Sequence, residues 1–269
     1  MTFKHKHHAL IVTGILIVVF LALIIWYMAS HPAPVALPPS IATTTAPAQM
    51  TPADKTVIDL QKYYEIRAKY PLTVPLKEGG LAAQQTMEAY VGDQIASFKS
   101  DSKLDSLTPQ DIQVQGLDRG NKYALTIAYT THKSPSTLSY DYEIFSDTLG
   151  AHPNTYYKTF TFDSGTGQLL TIADLFTPGT KYLDLLSTRA RADLPAIISK
   201  QSDGGGANTD DIQYGTAPKV ESFQNFYIED GKLVIVFAPY QVGPYVLGTV
   251  LLPIPLSSLK DVLNSRYLP

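Results

Sequence analysis

The chain has 269 residues, 45% of them hydrophobic and 17% charged, so it can bury the core of one large domain or of two small ones. Its formal net charge is −3, and a mildly acidic chain lacks the basic face that nucleic acid requires. The absence of cysteine excludes structural disulfides, cysteine-ligated zinc, iron–sulfur clusters and thiol nucleophiles. We therefore expect no nucleic-acid partner and no cysteine-based chemistry.

Charge is distributed unevenly along the chain. No Asp, Glu, Lys or Arg occurs from His7 to Ala53, so all 24 acidic residues lie at Asp54 or beyond. Of the 21 basic residues, Lys4 and Lys6 precede this gap and 19 follow it, which leaves the later part with a net charge of −5. The extreme N-terminus is therefore basic and the remainder is acidic.

An apolar run of 21 residues, Ala9 to Ala29, contains no charged side chain. At about 1.5 Å per residue, a helix of this length spans the roughly 30 Å hydrocarbon layer of a bilayer. Trp26 and Tyr27 lie near its end, where aromatic rings meet the membrane interface. A cleaved secretory signal is the alternative, but its apolar core is shorter. We predict an uncleaved single-pass anchor, with residues 1–8 in the cytoplasm and the bulk of the chain outside the cell.

Residues 30–52 (SHPAPVALPPSIATTTAPAQMTP) are rich in proline, alanine and threonine. This composition favours an extended, polyproline-like backbone and offers no periodic apolar face to bury. We predict a stalk that holds the following domain away from the membrane or carries it through a cell-wall layer.

The body of the chain, from residue 53 onward, has the patterns of a mixed α and β protein. Apolar and charged residues alternate from Tyr64 to Tyr70, which predicts a half-buried strand that Pro71 ends. Apolar residues recur every three or four positions within 81–100, which predicts a helix. Residues 112–117 form a short apolar segment that we interpret as a strand.

Several further elements are predicted. They are an antiparallel hairpin of 123–129 and 138–144, a strand at 156–162 with a turn at 163–168, a helix at 183–200 that Pro195 kinks or splits, and a loop at 201–221. The last are a hairpin of 223–228 and 232–237 through Asp230-Gly231, a strand at 246–252, and a helix at 257–263 with capping-box spacing between Ser258 and Asp261. We therefore predict an α+β fold of antiparallel sheets covered by helices.

Signatures of enzymatic sites are missing from the sequence. The predicted body holds only His132 and His152, twenty residues apart, and no G-x-S-x-G, P-loop or dinucleotide-binding motif. Asp203, Asp210 and Asp211 could suggest calcium, but their spacing does not fit a calcium-binding loop, and a mobile surface loop is the preferred interpretation. A Ser-His-Asp triad assembled from distant positions stays open, because geometry defines it. We expect no metal, no cofactor and no enzymatic activity.

Tyrosine is the unusual component, with 17 residues against 10 Phe and one Trp. Most tyrosines suit half-exposed strands, where the ring packs and the hydroxyl reaches water. The exception is the segment 237–248 (FAPYQVGPYVLG), where proline and glycine interrupt a strand pattern around Tyr240 and Tyr245. Because tyrosine offers a large contact area at little entropic cost, this stiff loop predicts a recognition surface.

Residues 225–263 resemble a known domain. The segment NFYIEDGKLVIVFAPYQVGPYVLGTVLLPIPLSSLKDVL is similar to the C-terminal domain of unknown function shared by RsiV-type anti-sigma factors and PdaC-like peptidoglycan deacetylases. Upstream, Gly150 and His152, the strand at 157–162 and the segment T-I-A-D-L-F at 171–176 are similar to the junction where a PdaC-like N-terminal domain precedes it. The resemblance implies two domains, at 53–153 and 154–269.

The resemblance implies only part of the activity of those proteins. RsiV-like proteins carry a cytoplasmic sigma-binding segment and an outer domain that binds lysozyme, and here only residues 1–8 precede the predicted membrane helix. PdaC-like enzymes carry their deacetylase chemistry in a separate metal-dependent domain, whose acidic pair and His-x-x-x-His motif are missing here. We expect neither an anti-sigma role nor deacetylase activity.

What remains is a membrane-anchored, extracytoplasmic binding module for lysozyme, another cell-wall hydrolase or a peptidoglycan-related ligand. We expect Tyr240, Gln241, Tyr245 and His152 to line or support its contact surface. Two alternatives stay open: an envelope hydrolase with a noncanonical site, and a purely structural envelope protein. A pocket that holds His132 or His152 beside a carboxylate would favour the hydrolase.

Overall fold

The computed structural model of the chain describes residues 54–203 and 206–268. The predicted cytoplasmic tail, transmembrane helix and stalk, residues 1–52, lie outside the described residues. Among the helices of the described ranges, none combines the length and the apolar character needed to cross a bilayer.

Six strands form the larger sheet, in the order β1 to β6. They are β1 (Asp54–Leu60), β2 (Tyr64–Pro71), β3 (Tyr123–Lys133), β4 (Thr137–Asp147), β5 (Asn154–Asp163) and β6 (Leu169–Leu170). Neighbouring strands are antiparallel except β2 and β3, which run parallel. The prediction of purely antiparallel sheets is wrong for this pair. The segment with α1 (Gly80–Asp101) and α2 (Pro109–Val114) returns the chain to the end of the sheet where β2 begins, so β3 starts beside the start of β2 and runs in the same direction.

Helix α1 covers one face of the larger sheet and forms a core with it. The side chains predicted to alternate along β2 and β3 do so, and the helix predicted within 81–100 is confirmed. Strand β4 is buried on both faces over residues 137–140, because the smaller sheet packs on its other face. The largest fully buried side chains of this core are Ile66, Met87, Leu125, Ile127, Tyr140, Tyr142, Ile144 and Phe162. Their burial removes a continuous apolar face from water, which is the main stabilising contribution to this half of the fold.

Three antiparallel strands form the smaller sheet, β7 (Phe226–Glu229), β8 (Lys232–Phe237) and β9 (Val250–Pro255). The predicted hairpin is confirmed, and its two turn residues, Asp230 and Gly231, both have positive φ as a type I′ turn requires. Helix α3 (Tyr182–Gln201) covers this sheet. Their joint core includes Leu186, Ala190, Leu194, Ile198, Leu233, Ile235, Leu252 and Ile254.

Three predictions that concern residues 109–215 need correction. Residues 109–114 form α2, not a strand, because Thr108 and Asp111 make a reciprocal capping box at its start and Pro109 is its first residue. Helix α3 runs through Pro195 without a break. The predicted loop at 201–221 contains α4 (Thr209–Gly215), because the Asn208 side chain accepts a hydrogen bond from the backbone N–H of Asp210.

Two predictions near the C-terminus also need correction. The last strand begins at Val250 and not at residue 246, since residues 245–247 form a 3₁₀ turn that ends at Gly248. The predicted C-terminal helix is a 3₁₀ turn over Leu256–Leu259. Its predicted capping box does not form, because the Ser258 hydroxyl donates to the carbonyl of Pro255.

The two sheets stack face to face. The backbone N–H of Phe226, the first residue of β7, donates to Thr159 Oγ1 at 2.8 Å, and Thr161 Oγ1 donates to the Phe226 carbonyl at 2.7 Å. The Asn225 side-chain oxygen accepts from the backbone N–H of Thr159, and its amide nitrogen donates to the Tyr157 carbonyl. The layer order is therefore α1, larger sheet, smaller sheet, α3, and the α+β class is confirmed. The domain boundary at 153 and 154 stays a prediction, with β5 on its C-terminal side.

A buried carboxylate ties the C-terminus to the turn that follows β5. Asp163 accepts hydrogen bonds from the backbone N–H groups of Gly165 and Thr166 and from the Tyr267 hydroxyl, and it forms an ion pair with Arg266. Burial acts to raise the pKa of Asp163, but these hydrogen bonds and the guanidinium outweigh it and hold the pKa below its ordinary value of 3.8.

We predict that Asp163→Asn lowers the free energy of unfolding by about 1–3 kcal/mol at pH 7, because the amide cannot satisfy the same donors. Since the folded-state pKa is depressed, this contribution is complete above pH 3.8 and is lost as the pH falls through the folded value. Urea unfolding of the full-length chain in detergent at several pH values measures the difference. Asp105→Asn, at an exposed position, is the control, and an equal loss in both variants would contradict the assignment.

Candidate recognition site

The loop between β8 and β9 holds two of the predicted recognition residues. Tyr240 has a φ of 70°, a left-handed conformation that costs a residue with a side chain about 1–2 kcal/mol. Such strain persists only where surrounding contacts hold it, and it clusters at binding and catalytic sites. Tyr240 is 59% exposed and Val246, further along the loop, is 88% exposed.

Gln241 supplies the contacts that hold this loop. Its side-chain oxygen accepts from the Ala238 N–H at 3.3 Å, and its amide nitrogen donates to the carbonyls of Gly215 at 3.2 Å and Ser222 at 3.0 Å. A Cβ at Gly215 would overlap the Gln241 carbonyl, so α4 approaches the loop at a residue without a side chain. Gln241 is half-buried and therefore supports the surface by fixing its backbone.

His152 joins Tyr240 and Tyr245 in one aromatic cluster. The Tyr240 hydroxyl lies 2.8 Å from His152 Nε2, and the rings of His152 and Tyr245 stack with centroids 4.5 Å apart. Because His152 Nδ1 lies 2.8 Å from the Pro153 carbonyl, Nδ1 carries the proton and Nε2 accepts from the tyrosine. We call these three residues the aromatic cluster. The structure thus brings together three of the four predicted residues, and the fourth braces the loop.

Sequence reasoning missed Tyr214, which lies beside the aromatic cluster. Tyr214 is on α4 and is 80% exposed, and it shares a groove of about 160 Å³ with Tyr240. The prediction of a mobile loop at 201–221 concealed it. The available signal was Asn208 followed by Asp210 and Asp211, a helix N-cap with acidic residues in the first turn.

A second polar group lies between the two sheets. His132 Nδ1 is 3.1 Å from Glu229 Oε2, and the His132 ring stacks on Tyr227 at 3.6 Å between centroids. Burial, with a smaller contribution from the charge of Glu143, raises the pKa of Asp141 to about 7. His132 therefore lies beside a carboxylate, as a hydrolase would require, but it is only 9% exposed.

Comparison with known proteins identifies the second half of the chain. Residues 173–257 match DUF3298, a family of proteins of unknown function. The matched residues are similar to that family. They extend from the residues before α3 to just beyond β9, so they include Tyr240 and Tyr245, whereas His152 lies ahead of them. Together with the likeness to PdaC described next, this match confirms the resemblance to the PdaC-like family.

Two curated proteins that are similar to this chain are named as enzymes. The chain is 26% identical over 214 residues to the peptidoglycan-N-acetylmuramic acid deacetylase PdaC of Bacillus subtilis. The aligned region covers 79% of this chain and 42% of PdaC. It is 30% identical over 148 residues to the esterase Rv3036c of Mycobacterium tuberculosis, and this aligned region covers 54% of the chain and 62% of the esterase. The chain thus spans less than two thirds of the length of either relative.

A solved structure supports the fold. The crystal structure of a DUF3298 family member from Bacteroides fragilis matches with a TM-score of 0.55 at 16% identity, covering 80% of this chain and 93% of that one. At this identity the likeness concerns the arrangement of the sheets and helices alone.

We predict that Tyr240→Gly is more stable than Tyr240→Ala by about 1 kcal/mol, because only glycine adopts a positive φ without strain. Thermal unfolding of the full-length chain in detergent compares the two. The same pair at Tyr156, a strand position, should show the reverse order, since glycine weakens a strand. Equal stability of both Tyr240 variants would show that the loop relaxes freely.

Proposed function

We propose that this protein is a membrane-anchored, extracytoplasmic binding module that recognises lysozyme, another cell-wall hydrolase or a peptidoglycan-related ligand. The observation that carries the proposal is the aromatic cluster, in which His152, Tyr240 and Tyr245 meet on the surface from two distant chain segments. Its relation to proteins of the cell envelope is supported by the likeness to PdaC. The predicted anchor at residues 9–29 would keep the module at the membrane.

The geometry of the cluster suits recognition. Tyrosines dominate binding energy at many interfaces, because a rigid ring buries much area while losing little rotamer freedom. Here the rings are already held by mutual packing and by the hydrogen bond from Tyr240 to His152. A partner therefore has less ordering entropy to overcome when it binds.

Charge favours the same class of partner. The chain beyond residue 53 carries a net charge of −5, which would steer a basic protein such as lysozyme toward it. This effect raises the association rate more than the affinity, and it weakens with salt.

We predict that Tyr240→Ala and Tyr245→Ala each weaken binding of lysozyme or of purified muropeptides at least tenfold, because each removes a central aromatic contact. Isothermal titration calorimetry with the full-length chain in detergent measures the affinity. Tyr156→Ala is the matched control, since that partly exposed tyrosine bonds Gln94 on α1, away from the aromatic cluster. Absence of binding to both ligand classes, or equal loss in the control, would overturn the proposal.

An envelope hydrolase is the second candidate, favoured by the polar group between the sheets and by the relative named as an esterase. The Asp141 carboxyl has a pKa of about 7, where a group can act as acid or base at neutral pH. The nearby His132–Glu229 pair has the arrangement of a histidine oriented by a carboxylate.

If this candidate is correct, the full-length chain hydrolyses p-nitrophenyl butyrate, and Asp141→Asn and His132→Gln each lower the rate at least tenfold. The wild-type rate should change with an apparent pKa near 7 that Asp141→Asn removes. Asp118→Asn, an exposed acid on the surface, controls for the loss of charge. Hydrolysis no faster than buffer would exclude this candidate for this ester.

A further inference from the structure

The groove between Tyr214 and Tyr240 has its own chemistry. Tyr214, on α4, and Tyr240, in the β8–β9 loop, both line it. Lys219 and Glu221 also line it, so the groove presents a cation and an anion close together. At about 160 Å³, it has the size of a single sugar ring. We call it the tyrosine groove.

The side chains that line the tyrosine groove offer aromatic faces. Tyr214 and Tyr240 are the two most exposed tyrosines of the described residues. Lys219 Nζ lies 5.7 Å from the centroid of the Tyr214 ring, which restrains both side chains. Exposed flat rings pack well against ligands that have an apolar face and a polar edge, and the C–H face of a pyranose is such a surface.

The groove also contains an unpaired buried hydroxyl. Ser222 lines the tyrosine groove and is only 5% exposed, and its Oγ has no hydrogen-bond partner among the described residues. A buried polar group without a partner costs about 1–3 kcal/mol, so a ligand that bonds to it gains that energy. Because Ser222 Oγ itself is buried, a ligand in the groove reaches it only when the serine side chain adopts a rotamer that faces the groove.

The two tyrosine positions are held in place before any ligand arrives. The Gln241 side chain donates to the carbonyl of Gly215, next to Tyr214, and to the carbonyl of Ser222. Gln241 itself follows Tyr240 directly in the chain. One side chain thus links the backbone segments of Tyr214, Ser222 and Tyr240, which lowers the ordering cost of binding.

We propose that the tyrosine groove binds one sugar residue of a glycan chain. The ring packs against Tyr214 and Tyr240, while its hydroxyl or amide groups bond to Ser222, Lys219 and Glu221. Because the groove offers both a donor and an acceptor of opposite charge, it suits an uncharged sugar that carries both kinds of group. This inference rests on the proposed function in that it names a glycan as the peptidoglycan-related ligand of the same surface.

Calorimetry and saturation-transfer NMR with tri-N-acetylchitotriose test the inference on the full-length chain. The detergent must have no sugar headgroup, since such a headgroup would compete for the groove. We expect Tyr214→Ala to weaken binding at least tenfold and Tyr214→Phe, which keeps the ring, to retain most of it. Tyr156→Ala is the control for a tyrosine elsewhere on the surface.

Ser222→Ala separates a binding role from a structural one. Removing an unpaired buried hydroxyl should leave the melting temperature unchanged or higher, while the affinity for the trisaccharide falls severalfold. A lower melting temperature with unchanged affinity would mean that this hydroxyl serves the fold, which would overturn its role in the groove.

The outcomes distinguish this inference from the proposed function. No binding of the trisaccharide, or binding that Tyr214→Ala leaves intact, overturns the glycan groove. If lysozyme still binds in that case and Tyr245→Ala still weakens it, the proposed function stands without the groove. If neither lysozyme, muropeptides nor the trisaccharide binds, both fail.

Discussion

The arrangement of the molecule depends on hydrogen bonds that run between the two sheets through side chains of β5. Thr159 and Thr161 hold the backbone of Phe226 at the start of β7, and Asn225 returns two further bonds to the β5 backbone. Because stacked sheets have no backbone ladder between them, these side chains replace it and set where the β7–β8 hairpin lies. Strand β5 begins two residues after His152, so the strand that contacts β7 also fixes the position of His152.

The same junction holds a group of polar side chains, in which His132 and Asp141 are largely buried and Glu229 is partly exposed. His132 pairs with Glu229 under the ring of Tyr227, and the nearby carboxyl of Asp141 is buried enough to hold its proton up to a pKa of about 7. Burying such groups costs desolvation energy that the pairing offsets only in good geometry. A different stacking of the sheets would separate His132 from Glu229, so this pair favours the observed arrangement.

The surface that we assign to recognition combines strain with rigid support. Tyr240 is held at a positive φ, and Gln241 ties its loop to α4 and to Ser222, so the strain is offset by hydrogen bonds within the fold. A ring presented this way is preorganised, and a ligand gains affinity because little further ordering is needed. The tyrosine groove and the aromatic cluster share Tyr240, so under our proposals one loop would contact both a protein ligand and a sugar.

Strands and helices with a clear hydrophobic period follow from the sequence alone, since that period is a property of neighbouring residues. The hairpin at Asp230-Gly231 and the interruption of the strand pattern around Tyr240 and Tyr245 were predictable for the same local reason. The parallel pairing of β2 with β3 and the approach of His152 to Tyr240 were not. They join residues up to 88 positions apart, and only the stacking of the two sheets decides which distant side chains meet.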